Sequence, residues 1–259
     1  MKYFLILTLF ALVGCTQEEE PKSPIDFKAE TESGDPFEGL SMKDAVELHI
    51  RRELSISVDE PIDYQIYEAN CDGDANLDAV ITVNLLDRAI DAAIKSGMVA
   101  KKAEIGFMGK FNYIIYRDGF SGEFSSAMAI PSSPKAKLKI TFEHIRSEKQ
   151  KDILVDYRIL NAGYRNFFTI TNGHPVRINQ VKLFDGIGTK DAIVYALEYE
   201  TGLISTSKDI VVYEGTFTNP TFTSPDDVYL FEPQISKTQL VHERWFFNPK
   251  DRKYYMKKE

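Results

Sequence analysis

The chain has 259 residues, 43% of them hydrophobic, with 39 acidic against 31 basic residues and a formal charge of −8. That length and apolar content suffice for one sizeable core, and the acidic balance excludes a nucleic-acid partner, because such a surface repels phosphates. Only Cys15 and Cys71 are present, so there is no disulfide framework.

Residues 1–14 hold a single charge, Lys2, ahead of an apolar run at 4–13 that is too short to cross a bilayer and is ordered like an export signal. The next residues, Leu12-Val13-Gly14-Cys15, resemble the lipobox of bacterial lipoproteins. This resemblance implies cleavage after Gly14, acylation of Cys15 on its sulfur and new amine, and lasting attachment to a membrane; ordinary secretory cleavage near Gly14 is the alternative. Glu18-Glu19-Glu20 resembles the export tag that sends some Gram-negative lipoproteins to the outer face of the outer membrane, although a solvated tether facing the periplasm explains the same triplet. Residues 15–40 are rich in Glu, Asp, Pro, Ser and Gly and read as a flexible acidic tether spanning roughly 30 Å. Loss of Lys2 with the signal leaves 30 basic and 39 acidic residues, a formal −9.

The globular domain is expected over residues 41–259. Ser41 ahead of Asp44 reads as a helix N-cap, and Ala45, Val46, Ile50 and Leu54 recur at helical spacing behind it. Residues 64–67 and 79–83 read as strands, rich in aromatic and β-branched side chains. Between them lies Asn70-Cys71-Asp72-Gly73-Asp74-Ala75-Asn76-Leu77-Asp78, which offers oxygen at alternate positions, with Gly73 allowing a sharp turn. Asn70, Asp72, Asp74 and Asp78 are expected to supply side-chain oxygens and Asn76 its carbonyl to a hard cation, since the carboxylates alone would repel one another. An acidic turn that needs no metal is the alternative. Ala75 at the sixth position and Ile81 at the twelfth disfavour an EF-hand. Asp72-Gly73-Asp74, Leu77-Asp78 and the apolar strand behind them resemble instead the loop of FG-GAP or VCBS-type repeats. That implies calcium as the ion and a loop joining two strands of one β-meander. Cys71 reads as a buried spacer.

Residues 85–95 alternate Leu86, Ala89, Ile90, Ala93 and Ile94 with charged positions and stop at Gly97, a second helix. Asp87 or Asp91 on it offers a distant carboxylate to the cation, unless both lie on a solvated helix face. From 104 onward the period is two. Strands are expected at 105–107, 111–116, 123–130, 138–144, 153–159, 167–170, 191–199 and 209–214, with turns at Asp118-Gly119, Pro131, Pro134, Gly163 and Asn172-Gly173. The fold class that follows is mainly β: antiparallel meanders with about two short N-terminal helices, arranged as a small irregular propeller or as a curved sheet or sandwich. An Asp opening an apolar strand recurs at Lys151-Asp152-Ile153 and Lys190-Asp191-Ala192; the copy at Asp191 matches best, and Arg146 and Lys149 replace acids in the copy at Asp152.

The chain closes on an aromatic hairpin around Asn248-Pro249-Lys250-Asp251, in which Trp245 and Tyr254 form either a flat ligand platform or cross-strand core. His49, His144, His174 and His242 are isolated, and no metalloprotease, nucleophile-elbow, phosphate-loop or Cys-x-x-Cys spacing occurs. Together these features point to a lipid-anchored outer-membrane or surface protein, a calcium-binding module for a protein or glycan partner. A surface enzyme such as a glycan hydrolase is the alternative, since its carboxylate pair leaves no local signature.

Overall fold

The computed structural model describes residues 36–97, 109–202 and 205–257. The lipobox with Cys15, most of the tether and the strand expected at 105–107 lie outside the described residues. Ser41 caps α1 (Met42–Glu53), its Oγ accepting the Asp44 N–H at 3.2 Å, while Arg51 and Arg52 in the last turn suit the negative end of the helix dipole. Then follow β1 (Asp63–Ala69), β2 (Asp78–Asn84), α2 (Leu86–Lys95), β3 (Asn112–Arg117) and β4 (Met128–Ala129). These strands make a four-stranded antiparallel sheet in chain order.

The second sheet is a meander of eight antiparallel strands, also in chain order: β5 (Lys139–Glu143), β6 (Asp152–Ile159), β7 (Ala162–Thr171), β8 (His174–Asp185), β9 (Ile193–Glu200), β10 (Asp209–Thr216), β11 (Ser236–Asn248) and β12 (Lys253–Lys257). A short α3 (Asp227–Leu230) interrupts the stretch between β10 and β11. The fold is thus mainly β, and neither sheet closes into a barrel. Of the two arrangements open from sequence, the chain takes the curved, packed sheets.

All seven residues of β2 are buried, and period two explains why. Ala79, Ile81 and Val83 point to the face covered by Val46 and Ile50 of α1, whereas Val80 points to the opposite face. There Val80, Ile114 and Tyr116 meet Ile153, Val155 and Tyr157 of β6, which makes the contact between the two sheets. Leu154 turns the other way, into a second core with Phe167, Ile210 and Phe247, because the large sheet curls until β12 touches β8. Truncating one such fully buried side chain to alanine typically costs about 2–5 kcal/mol. Where the chain crosses between sheets, buried Asn84 donates to Asn112 Oδ1 and to the Pro134 carbonyl, both at 2.8 Å, and Asn112 donates to Ser132 Oγ at 2.9 Å. These bonds satisfy polar groups that burial would otherwise penalise.

Several expectations are corrected. The stretch 123–130 contributes only the two-residue β4 and a single bridge from Phe124 to Arg117. β8 has no clear alternation because two register shifts break its pairing with β7. Gly163 lies inside β7, where its missing Cβ leaves room for the Phe184 ring, and the turn before it is Leu160-Asn161 with Leu160 at φ +51°. Asp191 is exposed in a turn and β9 starts only at Ile193, so the copy that matched best in sequence does not open a strand.

Candidate metal centre

The loop 70–78 joins β1 to β2, whose pairing ends at Ala69 opposite Asp78. Asp78 is 1% exposed, and both its oxygens are held: Oδ2 accepts the Cys71 N–H at 2.8 Å and Oδ1 the Gly119 N–H at 2.9 Å. The second bond ties the loop to the turn after β3, and that turn brings in Asp118. Carboxylate oxygens of Asp72, Asp78 and Asp118 lie within 4.8 Å of one another, so this partly buried trio can hold a metal ion.

Asn70, Asp74 and the N–H and side chain of Asn76 also bond within the loop. Asn70 Oδ1 accepts the Gly73 N–H at 2.8 Å, and its Nδ2 donates to the Asp74 carbonyl. Asp74 accepts the Asn76 N–H at 2.6 Å and the Asn76 Nδ2 at 3.0 Å. These side chains shape the loop as Asx turns. Gly73 sits at φ +94°, a conformation that glycine adopts without steric cost. Asp87 and Asp91 are exposed on α2, which leaves the far end of β2, some 20 Å from Asp78 at the usual strand rise. The distant carboxylate is Asp118 instead. Its place in an Asp-Gly turn was legible in sequence, but which loop it would face was not.

The electrostatics of the trio are uneven. Burial, and then the negative charge of Asp78, Asp74 and Asp118, push the Asp72 carboxyl above the usual aspartate range, despite the N–H of Asp74. Asp118 moves the other way, because the N–H groups of Ser121 at 2.6 Å and Phe120 at 2.9 Å stabilise its charge. Beneath the trio lies Tyr116, 0% exposed, whose hydroxyl makes no well-formed hydrogen bond. Burial, with Asp78 next and Asp72 and Asp118 behind it, pushes that phenol far up; Tyr116 pairs with Val80, which puts Asp78 and Asp118 each two residues along the chain from that pair. Cys71 is fully buried in the core between the sheets, its thiol pushed up by burial and by Asp78, which is an inert environment for sulfur.

Trp245 and Tyr254 come together, but as core. Tyr254 is 5% exposed, packs at a tilt against Phe247 at a centroid distance of 5.3 Å and donates its hydroxyl to the Lys208 carbonyl at 2.8 Å. Trp245 is half-buried, and its indole N–H donates to Glu243 at 3.1 Å. Its exposed part lines a cavity of about 320 Å³ with Tyr164, Gln180, Lys182 and Tyr195. A larger cavity of about 480 Å³ is lined by Lys135, Lys139, Asp156, Arg158 and Glu232. Its charges are paired: Asp156 with Arg165 at 2.6 Å, and Glu232 with Lys139 at 2.7 Å and Arg158 at 3.1 Å. Comparison with protein-family models, with curated proteins and with solved structures finds no match for this chain, so the reading of the site rests on its own geometry.

Proposed function

We propose that this chain is a lipid-anchored lipoprotein of the outer membrane, held at the cell surface through Cys15. Its β-rich domain would bind calcium at Asp72, Asp78 and Asp118 and serve as a binding or structural module for a protein or glycan partner. The observation that carries the calcium reading is the convergence of these three carboxylates, with no lysine or arginine paired to any of them among the described residues, above a buried phenol that lacks a partner. Carboxylate oxygens without sulfur or imidazole select a hard cation, and a loop on a strand end suits the flexible, many-oxygen coordination of calcium better than the strict octahedron of magnesium. The anchor rests on Leu12-Val13-Gly14-Cys15 and the acidic tether behind it. The partner site is best sought at the cavity of about 320 Å³, where Trp245, Tyr164 and Tyr195 offer ring surface beside Gln180 and Glu243, the chemistry that sugars and peptide side chains use. In the larger cavity Asp156 and Glu232 are both ion-paired, an arrangement that favours binding over hydrolysis there.

The test is calcium titration of the full-length protein in detergent, followed by heat and by melting temperature, beside an Asp72→Asn, Asp118→Asn double variant. Saturable binding that the variant loses supports the reading. No binding at millimolar calcium overturns it. Membrane fractionation of Cys15→Ser tests the anchor, which predicts release of the protein into the soluble fraction.

A further inference from the structure

The loop 144–152 repeats the loop 70–78 at an offset of 74 residues, so that Asp152 answers Asp78 and Arg146 answers Asp72. The structure shows the same arrangement in both loops, with the backbone donor displaced by one position. Asp152 opens β6 as Asp78 opens β2, and the two are 0% and 1% exposed. Asp152 Oδ2 accepts a backbone N–H from the start of its loop, that of Arg146 at 2.9 Å, just as Asp78 Oδ2 accepts that of Cys71 at 2.8 Å. The difference is charge. Six residues before the buried Asp, the second loop carries a guanidinium, whose Nε donates to Asp152 Oδ1 at 2.6 Å; the first loop carries another carboxylate there.

A third buried Asp at a strand start also meets an arginine, here from the neighbouring strand and shared with Glu200. Asp209 opens β10, is 1% exposed, and lies 3.3 Å from Arg244 Nη1. Two of the three buried Asp residues that open strands therefore have a guanidinium, and Asp78 instead has Asp72, Asp118 and the unpartnered Tyr116 hydroxyl. The first two loops also touch. Lys151 N–H donates to the Asn70 carbonyl at 2.9 Å, and the Gln150 amide, in the orientation that satisfies both neighbours, donates to the Asp72 carbonyl at 3.3 Å while accepting from Arg146 Nη2 at 2.6 Å.

We infer that Arg146 does in the second loop what a divalent cation does in the first: the domain carries one cation-neutralised and one arginine-neutralised copy of the same strand-opening loop, joined where the two sheets meet. This rests on the calcium reading for the ion's identity, but the exchange of an arginine for an ion does not depend on which cation binds. An arginine at position 72 would then replace the ion, and an aspartate at position 146 would create a demand for one.

The experiment uses full-length Asp72→Arg, Asp72→Asn and Arg146→Asp beside the natural chain, each melted in chelator and in excess calcium. Asp72→Arg is expected to melt at the same temperature in both conditions and about 5 °C above Asp72→Asn in chelator. Arg146→Asp is expected to depend on calcium more steeply than the natural chain and to raise the calorimetric stoichiometry from one ion to two. An Asp72→Arg chain no more stable in chelator than Asp72→Asn, or an Arg146→Asp chain with unchanged calcium response, overturns the inference. A natural chain indifferent to calcium overturns the calcium reading alone, since the comparison of the two position-72 variants in chelator still measures whether arginine neutralises the loop.

Discussion

Asp78 accepts the backbone N–H of Gly119 at 2.9 Å, a bond across 41 residues that sets the turn after β3 against the loop before β2. It adds to the β2–β3 pairing, in which Ala79 lies opposite Arg117, and fixes Asp118 beside Asp78 and Asp72. The carboxylate cluster is therefore a property of two adjacent strand connections in one meander, each positioned by the strand pairing behind it.

Asp118→Asn should weaken calcium binding by more than tenfold, about 1.4 kcal/mol or more, while leaving the fold intact. The amide oxygen can still accept the N–H groups of Phe120 and Ser121, so only charge is lost. In chelator near neutral pH the variant should be slightly less stable than the natural chain, because the N–H groups of Ser121 and Phe120 favour the charged form of Asp118 in the folded state. Calorimetry and chelator melts measure the two effects separately.

Acidification should weaken calcium binding, and Asp72 should take up a proton before Asp118 does. Its folded-state pKa is raised by burial and by Asp78, Asp74 and Asp118, whereas Asp118 is held low by its N–H donors. A raised carboxylate binds more protons folded than unfolded. In chelator, then, the Asp72 contribution is neutral below the ordinary aspartate range and increasingly destabilises as pH rises from there through the folded value. Apparent calcium affinity measured against pH should fall on the acid side, with Asp72→Asn removing part of that dependence.

Arg146→Ala should destabilise the domain by about 3–5 kcal/mol, because it leaves the 0% exposed Asp152 charged and unpaired. Replacing both partners, as Arg146→Met with Asp152→Leu, should cost less than the single change, since an apolar pair has no charge to solvate. Denaturant unfolding of the two variants decides the order.

Cys71 should react with a thiol reagent only when the domain opens. It is 0% exposed, and burial followed by Asp78 pushes its thiol up, so little thiolate is available in the folded protein. Under the proposed acylation of Cys15, labelling would report this single thiol. Calcium at a hundredfold over its dissociation constant adds about 2.7 kcal/mol to a folded state that alone binds it, so labelling should slow by roughly a hundredfold if global opening exposes the thiol.

Local chemistry determined much of this protein from sequence alone. Ser41 ahead of Asp44 starts α1, Gly97 at φ +68° follows α2, and the alternation from 111 onward gives antiparallel strands, because capping, glycine conformation and side-chain period act within a few residues. Asp72 and Asp78 were legible for the same reason, as neighbours in one loop. What only the tertiary structure decided is which distant groups meet. Asp118 joins Asp72 and Asp78 because β2 pairs with β3, the copy at Asp152 outranks that at Asp191 because Arg146 folds back onto a buried carboxylate, and Trp245 and Tyr254 become core because the large sheet curls. Each outcome depends on register and burial across dozens of residues, where pairing and desolvation act together and no local spacing records them.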